Sequence, residues 1–274
     1  DTYKTLYTDL ADAQRKQRAE AFFIENQDEM LLGTKVLWPE GESYLQLIHQ
    51  LINEGQASFN SEKQNDPHDP ERQLFNMEVA KRFRVKYTGD QLDRIEWLDG
   101  SRFIQANEIQ RIVAFHDPAL GKKAGQYSEP DFAAIVVVAQ DIYGFMYCLD
   151  AYIEKDPPGR QLEKALALYQ KWGFETLYLE ENHFQGLLKQ SYHDLPGKKP
   201  WIVGVHQHEN KYQRISTLEP YISNGHLLFS ETLSPRLIDQ LTLFPTGYDD
   251  GPDALEGAVR QLKKADISDL YNVL

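Results

Sequence analysis

A run of eight residues from Phe132 to Ala139 constrains the fold of this chain more than any other segment. It reads Phe-Ala-Ala-Ile-Val-Val-Val-Ala, which is short and rich in the β-branched residues that favour strands. A strand that is apolar on both faces needs cover on both sides, as in the centre of a sheet with helices against each face. The run therefore predicts an α/β protein with a buried central strand.

The segments around this run predict the rest of the sheet. The strand before it, 111–116, stops at Asp117-Pro118, and the strand after it, 143–152, follows a short connection that favours antiparallel pairing. The remaining predicted elements are a helix over 161–172 that ends at Gly173, strands over 176–180 and 201–205, a helix through Phe184, Leu187 and Leu188, and helices over 233–243 and 252–264. Three strands, then alternating helices and strands and a final helix match an RNase H-like mixed sheet flanked by helices.

The first 108 residues predict a mostly helical and irregular extension. Glu42 to Asn53 has apolar residues at helical spacing and is followed closely by a glycine, which indicates a helix that stops there. Asn60 to Glu71 is polar and contains two prolines, as is typical of a loop. A tight turn at Asp99-Gly100 is predicted to join two short strands. We therefore divide the chain into an extension over 1–108 and a domain over 109–274.

Charge and composition limit the partners that this chain can have. Its formal net charge of −13 argues against nonspecific coating of nucleic acid, which requires a basic surface. Between Gln185 and Gln240, however, the sequence has six Lys/Arg and five acids, and four of the eight histidines lie there. If DNA contacts this protein, we expect that segment to provide the contact face.

Cysteine use and hydropathy indicate the compartment. The single cysteine, Cys148, excludes an intramolecular disulfide and fits a reducing cytoplasm, and its apolar surroundings predict a buried strand residue. The sequence has no run of about 18 apolar residues, so we expect no membrane association. Because the chain begins Asp1-Thr2-Tyr3 without a methionine, we expect it to be part of a longer protein.

Carboxylates lie where several of the apolar segments end. Asp117 closes the first strand of the domain, Glu180 closes the fourth, and Asp250 and Asp253 flank the start of the last helix. If the first and fourth strands are neighbours, Asp117 and Glu180 project from one edge, where magnesium or manganese would neutralise their repulsion. Two such ions about 3.5–4 Å apart can activate water and stabilise the leaving oxygen of a phosphodiester. The alternative is that these acids only terminate strands and cap a helix.

Four motifs in sequence order resemble the nuclease domain of the large terminase subunit of tailed phages. They are His116-Asp117-Pro118-Ala119, Asp131-Phe132-Ala133-Ala134-Ile135, the segment from Leu179 to Gln185, and Asp249-Asp250-Gly251-Pro252-Asp253-Ala254-Leu255. The resemblance extends from about Gln110 to the C-terminus. More weakly, Leu32 to Pro39 and Gly55 to Glu62 resemble the stretch that follows the ATPase core in large terminases.

The resemblance implies a metal-dependent endonuclease that cuts double-stranded phage DNA during packaging in the host cytoplasm, with two Mg²⁺ or Mn²⁺ ions. Asp117 matches the first-strand metal ligand of the family, and Glu180 matches the acid that ends the fourth strand, with Glu181 as the alternative. The third ligand comes from Asp250 or Asp253, of which we prefer Asp253. The implied partners are DNA, the portal protein, the terminase ATPase region and the small subunit.

Three further residues have alternative interpretations. Lys211 and Arg214 resemble the family's Lys-x-x-Arg-Ile segment, which implies contact with DNA phosphate or positioning of the cleaved strand. Without the resemblance they are two surface cations one helical turn apart. Asp131 is either an outer residue of the site or an ordinary acid at the start of a strand.

Two other functions are compatible with the sequence. One is a different RNase H-like nuclease of the resolvase or integrase type, and the other is a noncatalytic module that docks on the portal or motor. Among the histidines, His206 and His208 could bind zinc but lack a third ligand at a recognisable spacing. His116 is expected to point away from Asp117 and to be packed.

Overall fold

The computed structural model describes residues 2–63, 73–119, 132–181, 190–192, 194 and 197–271, with backbone only for 57, 61 and 265–271. In these ranges the strands form one nine-stranded mixed sheet of order β3-β2-β1-β9-β6-β5-β4-β7-β8. The strands are β1 (Arg82–Thr88), β2 (Gln91–Trp97), β3 (Phe103–Gln105), β4 (Ile109–Asp117), β5 (Ala133–Asp141), β6 (Met146–Glu154), β7 (Thr176–Glu180), β8 (Trp201–Val205) and β9 (Leu227–Ser230).

Five helices of the described part of the chain precede the strands, and helices that lie between and after the strands cover both faces of the sheet. They are α1 (Thr2–Thr8), α2 (Arg15–Glu25), α3 (Gln27–Leu31), α4 (Tyr44–Glu54), α5 (Gln56–Lys63), α6 (Pro158–Trp172), α7 (Lys211–Ser216), α8 (Glu219–Ser223), α9 (Pro235–Leu243) and α10 (Asp250–Tyr271), with a 3₁₀ turn at Ala106–Glu108. None of the helices in the described ranges is long and apolar enough to cross a membrane.

Strand β5 is the central strand that its sequence predicts. All nine of its residues are buried, and it pairs antiparallel with both β4 and β6. Alternate side chains enter two separate cores, with Val136 packed in the core that contains α9 and α10, and Val137 in the core that contains α6. The mixed sheet covered by helices confirms the predicted RNase H-like fold.

The third predicted strand begins three residues later than its sequence indicates. Instead of starting at residue 143, β6 starts at Met146, because a turn occupies the connection from β5. In that turn the Asp141 carboxylate accepts hydrogen bonds from the backbone N–H groups of Tyr143 and Phe145, and Gly144 adopts a positive φ of 96°. Local side-chain capping of this kind competes with strand pairing.

The N-terminal region contributes strands as well as helices. The predicted turn at Asp99-Gly100 is confirmed between β2 and β3, but these strands and β1 belong to the main sheet, because β1 pairs in parallel with β9. The predicted boundary after residue 108 therefore divides one sheet. The predicted loop at 60–71 is wrong for its first four residues, which lie in α5, and residues 64–72 lie outside the described ranges.

Helices α1 to α4 pack into a small core of their own around Tyr3, Phe23 and Ile52. Helix α4 begins two residues later than predicted and ends one residue later, at Glu54, where Gly55 caps it with a φ of 87°. Hydrogen bonds tie this layer to the segment that leads into β9: His226 Nε2 donates to the backbone oxygen of Thr8 at 2.7 Å, and Asn224 Nδ2 donates to that of Ile52 at 2.8 Å.

Candidate metal centre

Strands β4 and β7 bring two of the predicted ligands to one edge of the sheet. They are parallel neighbours, with His116 paired to Leu179. Asp117 and Glu180 are the next residues on the two strands, so their backbones lie about one strand spacing apart. The sequence predicted a shared edge on the condition that these strands are neighbours, and the structure meets that condition.

Helix α10 brings a third acid to the same edge because it packs unusually close to β4. A Cβ atom at Gly257 would lie 2.6 Å from the ring of Phe115, so only glycine permits this approach. Asp253 lies one helical turn before Gly257 and thus near the same strand. The contact between Gly257 on the helix and Phe115 on the strand therefore sets the position of Asp253.

Asp117, Glu180 and Asp253 form a group of three carboxylates. One oxygen from each lies within 4.8 Å of the others. Glu180 and Asp253 are only 5% and 3% exposed, whereas Asp117 keeps partial access to solvent. Burial, followed by the charges of Glu180 and Asp253, raises the pKa of the Asp117 carboxyl well above its ordinary value. The folded chain therefore holds together acids that repel one another.

The donor set fits magnesium or manganese. All three donors are carboxylate oxygens, which these hard cations prefer, and no histidine or cysteine belongs to the group. Octahedral Mg²⁺ with bonds of about 2.1 Å places opposite ligands about 4.2 Å apart. A separation of at most 4.8 Å therefore needs only small side-chain rotations to enclose an ion.

Lys211 and Arg214 lie against this group from helix α7. Asn210 caps the helix by accepting a hydrogen bond from the backbone of Gln213, and the two cations follow on one face. Lys211 Nζ lies 2.7 Å from Asp249 Oδ1 and 3.4 Å from Asp253 Oδ2. Burial lowers the pKa of the Lys211 ammonium, but the charges of Asp253 and Asp249 outweigh it and the net shift is upward.

Arg214 is a buried residue, so the interpretation of this residue as a surface cation is wrong. Only 5% exposed, it donates from Nη1 to Asp253 Oδ1 at 2.6 Å and from Nη2 to Asp253 Oδ2 at 3.2 Å. The arrangement directs its guanidinium at a candidate ligand and away from the surface. The Lys211 side chain, by contrast, is 38% exposed.

A chain of alternating charges extends from Arg214 and was missed by the sequence analysis. Arg214 Nη1 lies 3.3 Å from Glu256 Oε2, and Arg260 Nε lies 3.2 Å from Glu256 Oε1. Arg260 Nη2 in turn donates to Gln207 at 3.0 Å. Asp253, Glu256 and Arg260 follow the i, i+3, i+7 spacing of one helical face, and this is the sequence signal that could have revealed them.

The alternative ligands occupy other positions. The charge of Asp250 contributes to the raised pKa of Asp117, but the three-carboxylate group contains Asp253. Glu181 turns toward β8, where its Oε2 lies 3.5 Å from His206 Nε2 and its carboxyl covers Gly204. Asp131 and the segment 182–185 lie outside the described residues.

His116 is packed, as predicted, on the side of β4 away from the acids. It is fully buried between the Oε1 atom of Gln161, 3.1 Å from Nε2, and the hydroxyl of Tyr192, 2.9 Å from Nδ1. Since the amide oxygen only accepts, Nε2 carries the proton. Burial lowers the pKa of His116 to about 4, so the imidazole is neutral near pH 7.

Known proteins share this architecture without close sequence similarity. No family model matches the chain, and no curated protein does. Among solved structures, the large terminase of a thermophilic bacteriophage, in complex with ADP, aligns with a TM-score of 0.52 and 8% identity over 81% of this chain. The chain has the fold of a large terminase. It spans about half of that phage protein, since the alignment covers 51% of the longer chain.

Two nuclease domains align less well with the terminase-like fold of this chain. The human cytomegalovirus terminase nuclease domain gives a TM-score of 0.43 at 12% identity, over 57% of this chain and 86% of its own. The large terminase nuclease domain of bacteriophage SPP1, with bound Mn, gives 0.42 at 12% identity, over 57% and 88%. At such identities the similarity concerns the fold alone.

Proposed function

We propose that this protein is a metal-dependent endonuclease of the terminase type, which cuts double-stranded DNA during genome packaging. The observation that carries the proposal is the group formed by Asp117, Glu180 and Asp253, whose oxygens lie within 4.8 Å of one another. Buried carboxylates that repel one another are costly unless a cation compensates them. Their place at one edge of a terminase-like fold supports phosphodiester cleavage as the purpose of that cation.

These three side chains would hold Mg²⁺ or Mn²⁺, and we propose two ions. Such ions, when bound, activate a water molecule and stabilise the charge that develops on the phosphate and the leaving oxygen. The carboxylates supply the negative charge that retains the ions, and the partial exposure of Asp117 leaves this side of the group open to DNA. We assign His116 no part in proton transfer, because it is fully buried on the other side of β4 with both ring nitrogens hydrogen-bonded to Gln161 and Tyr192.

The two cations of α7 have different proposed roles. Arg214 fixes the orientation of the Asp253 carboxylate through two hydrogen bonds and so acts as a positioning residue. Lys211 is the more exposed cation, and we propose that its ammonium contacts a DNA phosphate next to the cut. The portal protein, an ATPase region and a small subunit are further proposed partners, on the strength of the terminase-like fold.

A plasmid-nicking assay with Mn²⁺ tests the proposal. The wild type should convert supercoiled plasmid to nicked and linear forms. EDTA should abolish cutting, and Asp117→Asn or Asp253→Asn should slow it about 100-fold or more. Glu181→Gln is the matched control, since its carboxyl is directed away from the group, and it should cut like the wild type. Absence of cutting by the wild type, or full activity of Asp117→Asn, contradicts the proposal.

The choice of substrate separates the terminase type from the resolvase type. A terminase-type nuclease should cut linear duplex DNA at least as well as a four-way junction of the same length. Strong preference for the junction would favour the resolvase type while keeping the same metal chemistry. The comparison uses one preparation of the protein and one metal concentration, so differences in activity reflect DNA structure alone.

A further inference from the structure

Two aromatic rings and two cations form a cluster beside the three acids. The rings of Phe132 and Tyr248 meet edge to face, with centroids 4.8 Å apart. Lys155 Nζ lies 4.8 Å from the Phe132 centroid, 5.0 Å from the Tyr248 centroid and 3.4 Å from the Tyr248 hydroxyl. The guanidinium of Arg236 lies 5.6 Å from the Phe132 centroid. We call these four residues the aromatic–cation cluster.

Strand register places this cluster at the edge of the sheet that carries Asp117. Asp117 pairs with Ala134, and Ala133 pairs with Glu154. Phe132 and Lys155 are the adjoining residues at the ends of β5 and β6. Since neighbouring strands lie about 4.8 Å apart and Lys155 lies two residues beyond Ile153, which stands at the level of Asp117, the backbone of Lys155 lies about 12 Å from that of Asp117. This distance corresponds to about three to four nucleotides of duplex rise at 3.4 Å each.

Tyr248 connects the cluster to the acids along the chain. It directly precedes Asp249, whose carboxylate binds Lys211, and stands two residues before Asp250 at the start of α10. Its side chain is 48% exposed, so the ring is accessible at the rim of the site. A DNA strand that reached the acids along this rim would pass over the ring.

Arg236 anchors the cluster to the end of β6. Its Nη1 donates to the backbone oxygen of Ile153 at 2.7 Å, and its guanidinium also pairs with the Glu154 carboxylate. Arg236 is therefore compensated locally by an acid. Lys155 is the cation that lies against both rings, and we expect it to be the one that meets a phosphate.

We propose that the aromatic–cation cluster binds an unpaired DNA strand that flanks the cut, with a phosphate on Lys155 and a base stacked on Tyr248. The inference rests on the proposed function for the identity of the ligand. Exposed aromatic rings beside cations bind single strands, because every base offers a face for stacking and the cation meets the backbone. A paired base is already stacked in the duplex, so the cluster favours a frayed end or a single-stranded tail.

The test measures binding of two labelled DNAs by fluorescence anisotropy, one a blunt duplex and the other the same duplex with a single-stranded tail. Ca²⁺ replaces Mn²⁺, and a gel verifies that the DNA stays intact. Tyr248→Leu should weaken binding of the tailed DNA about 10-fold and leave that of the blunt duplex nearly unchanged. Lys155→Gln should lower the slope of log K against log salt by about 0.7 for the tail.

A matched control lies elsewhere on the same protein. Lys263 contacts Tyr221 in the same manner, with Nζ 4.4 Å from the ring centroid and 2.7 Å from the hydroxyl. Lys263 lies 13 residues after Asp250 on α10, or about 20 Å along the helix axis. Lys263→Gln should bind both DNAs like the wild type, which separates the cluster from a general loss of positive charge.

The outcomes distinguish this inference from the proposed function. Tyr248→Phe keeps the ring and should retain affinity for the tail, which guards against an effect of misfolding in Tyr248→Leu. If Tyr248→Leu and Lys155→Gln both bind the tailed DNA like the wild type, the inference is overturned, even where the wild type cuts plasmid. If the wild type prefers the tail and both variants lose that preference, the inference stands even where no cutting occurs.

Discussion

The guanidinium of Arg214 lies against both carboxylate oxygens of Asp253, 2.6 Å from Oδ1 and 3.2 Å from Oδ2. Both groups are buried, and Arg214 also contacts the buried Glu256. A protein cation thus compensates one acid of the candidate metal centre. This contact links the stability of the fold to the geometry of the site.

Removing the Arg214 charge should destabilise the protein strongly. Arg214→Met leaves Asp253 without its closest cation, and breaking one side of a buried ion pair costs about 3–5 kcal/mol. Urea unfolding in EDTA measures the effect. Arg84→Met is the control, because its pair with Glu231 is solvent-exposed and its loss should barely move the midpoint. An unchanged midpoint for Arg214→Met would refute this view of the contact.

Neutralising Asp117 should have opposite effects on stability and on activity. Its raised pKa means that the ionised carboxylate is disfavoured in the folded state by burial and by Glu180 and Asp253. Asp117→Asn should therefore raise the urea midpoint in EDTA at pH 7 while it reduces the rate of cutting about 100-fold or more. Glu181→Gln should change neither quantity. Lower stability of Asp117→Asn would mean that the Asp117 charge stabilises the fold, and it would contradict the prediction.

Manganese should stabilise the folded protein through the three carboxylates. A ligand that binds only the folded state at about 100 times its Kd adds about 2.7 kcal/mol, or roughly 5–10 °C in Tm for a chain of this size. Thermal unfolding over a series of Mn²⁺ concentrations measures the shift. We expect Asp253→Asn to lose most of it and Glu181→Gln to keep it. An equal shift in all three proteins would place the metal elsewhere.

His226 should make the protein less stable as the solution becomes acidic. Burial lowers the pKa of its imidazole below 6.5, opposed by its hydrogen bond to Thr8, and Lys263, Arg15 and Lys4 lower it further. Below pH 6.5 the unfolded chain therefore binds more protons than the folded one. The contribution of His226 to the free energy of unfolding is present above that pH and is lost as the pH falls to the folded-state pKa.

Urea unfolding between pH 5 and pH 7.5 tests this dependence. His226→Gln should lose less stability than the wild type over that range, although its stability at pH 7.5 falls because the contact with Thr8 is weakened. His208→Gln serves as the control, because His208 is exposed and its replacement should leave the dependence intact. Parallel curves for the wild type and His226→Gln would count against the prediction.

The strands that carry Asp117 and Glu180 could be predicted because their signals are local. β7 has the predicted bounds, and β5 is the buried strand that its apolar run indicates. A short apolar run indicates a buried strand, and the polar or turn residue after it indicates where that strand ends, so both signals lie within a few residues. The shared edge of the two acids was predicted only on the condition that the two strands are neighbours, and their local signals do not specify that pairing.

Tertiary structure alone decided the features that depend on distant packing. β9 is only four residues long, yet it lies between β1 and β6 and brings β1 to β3 into the sheet. Whether Arg214 is a surface cation or a buried partner of Asp253 depends on α10 packing over α7, 39 residues away in the chain. Burial and electrostatic compensation arise from neighbours in space, and no local spacing specifies them.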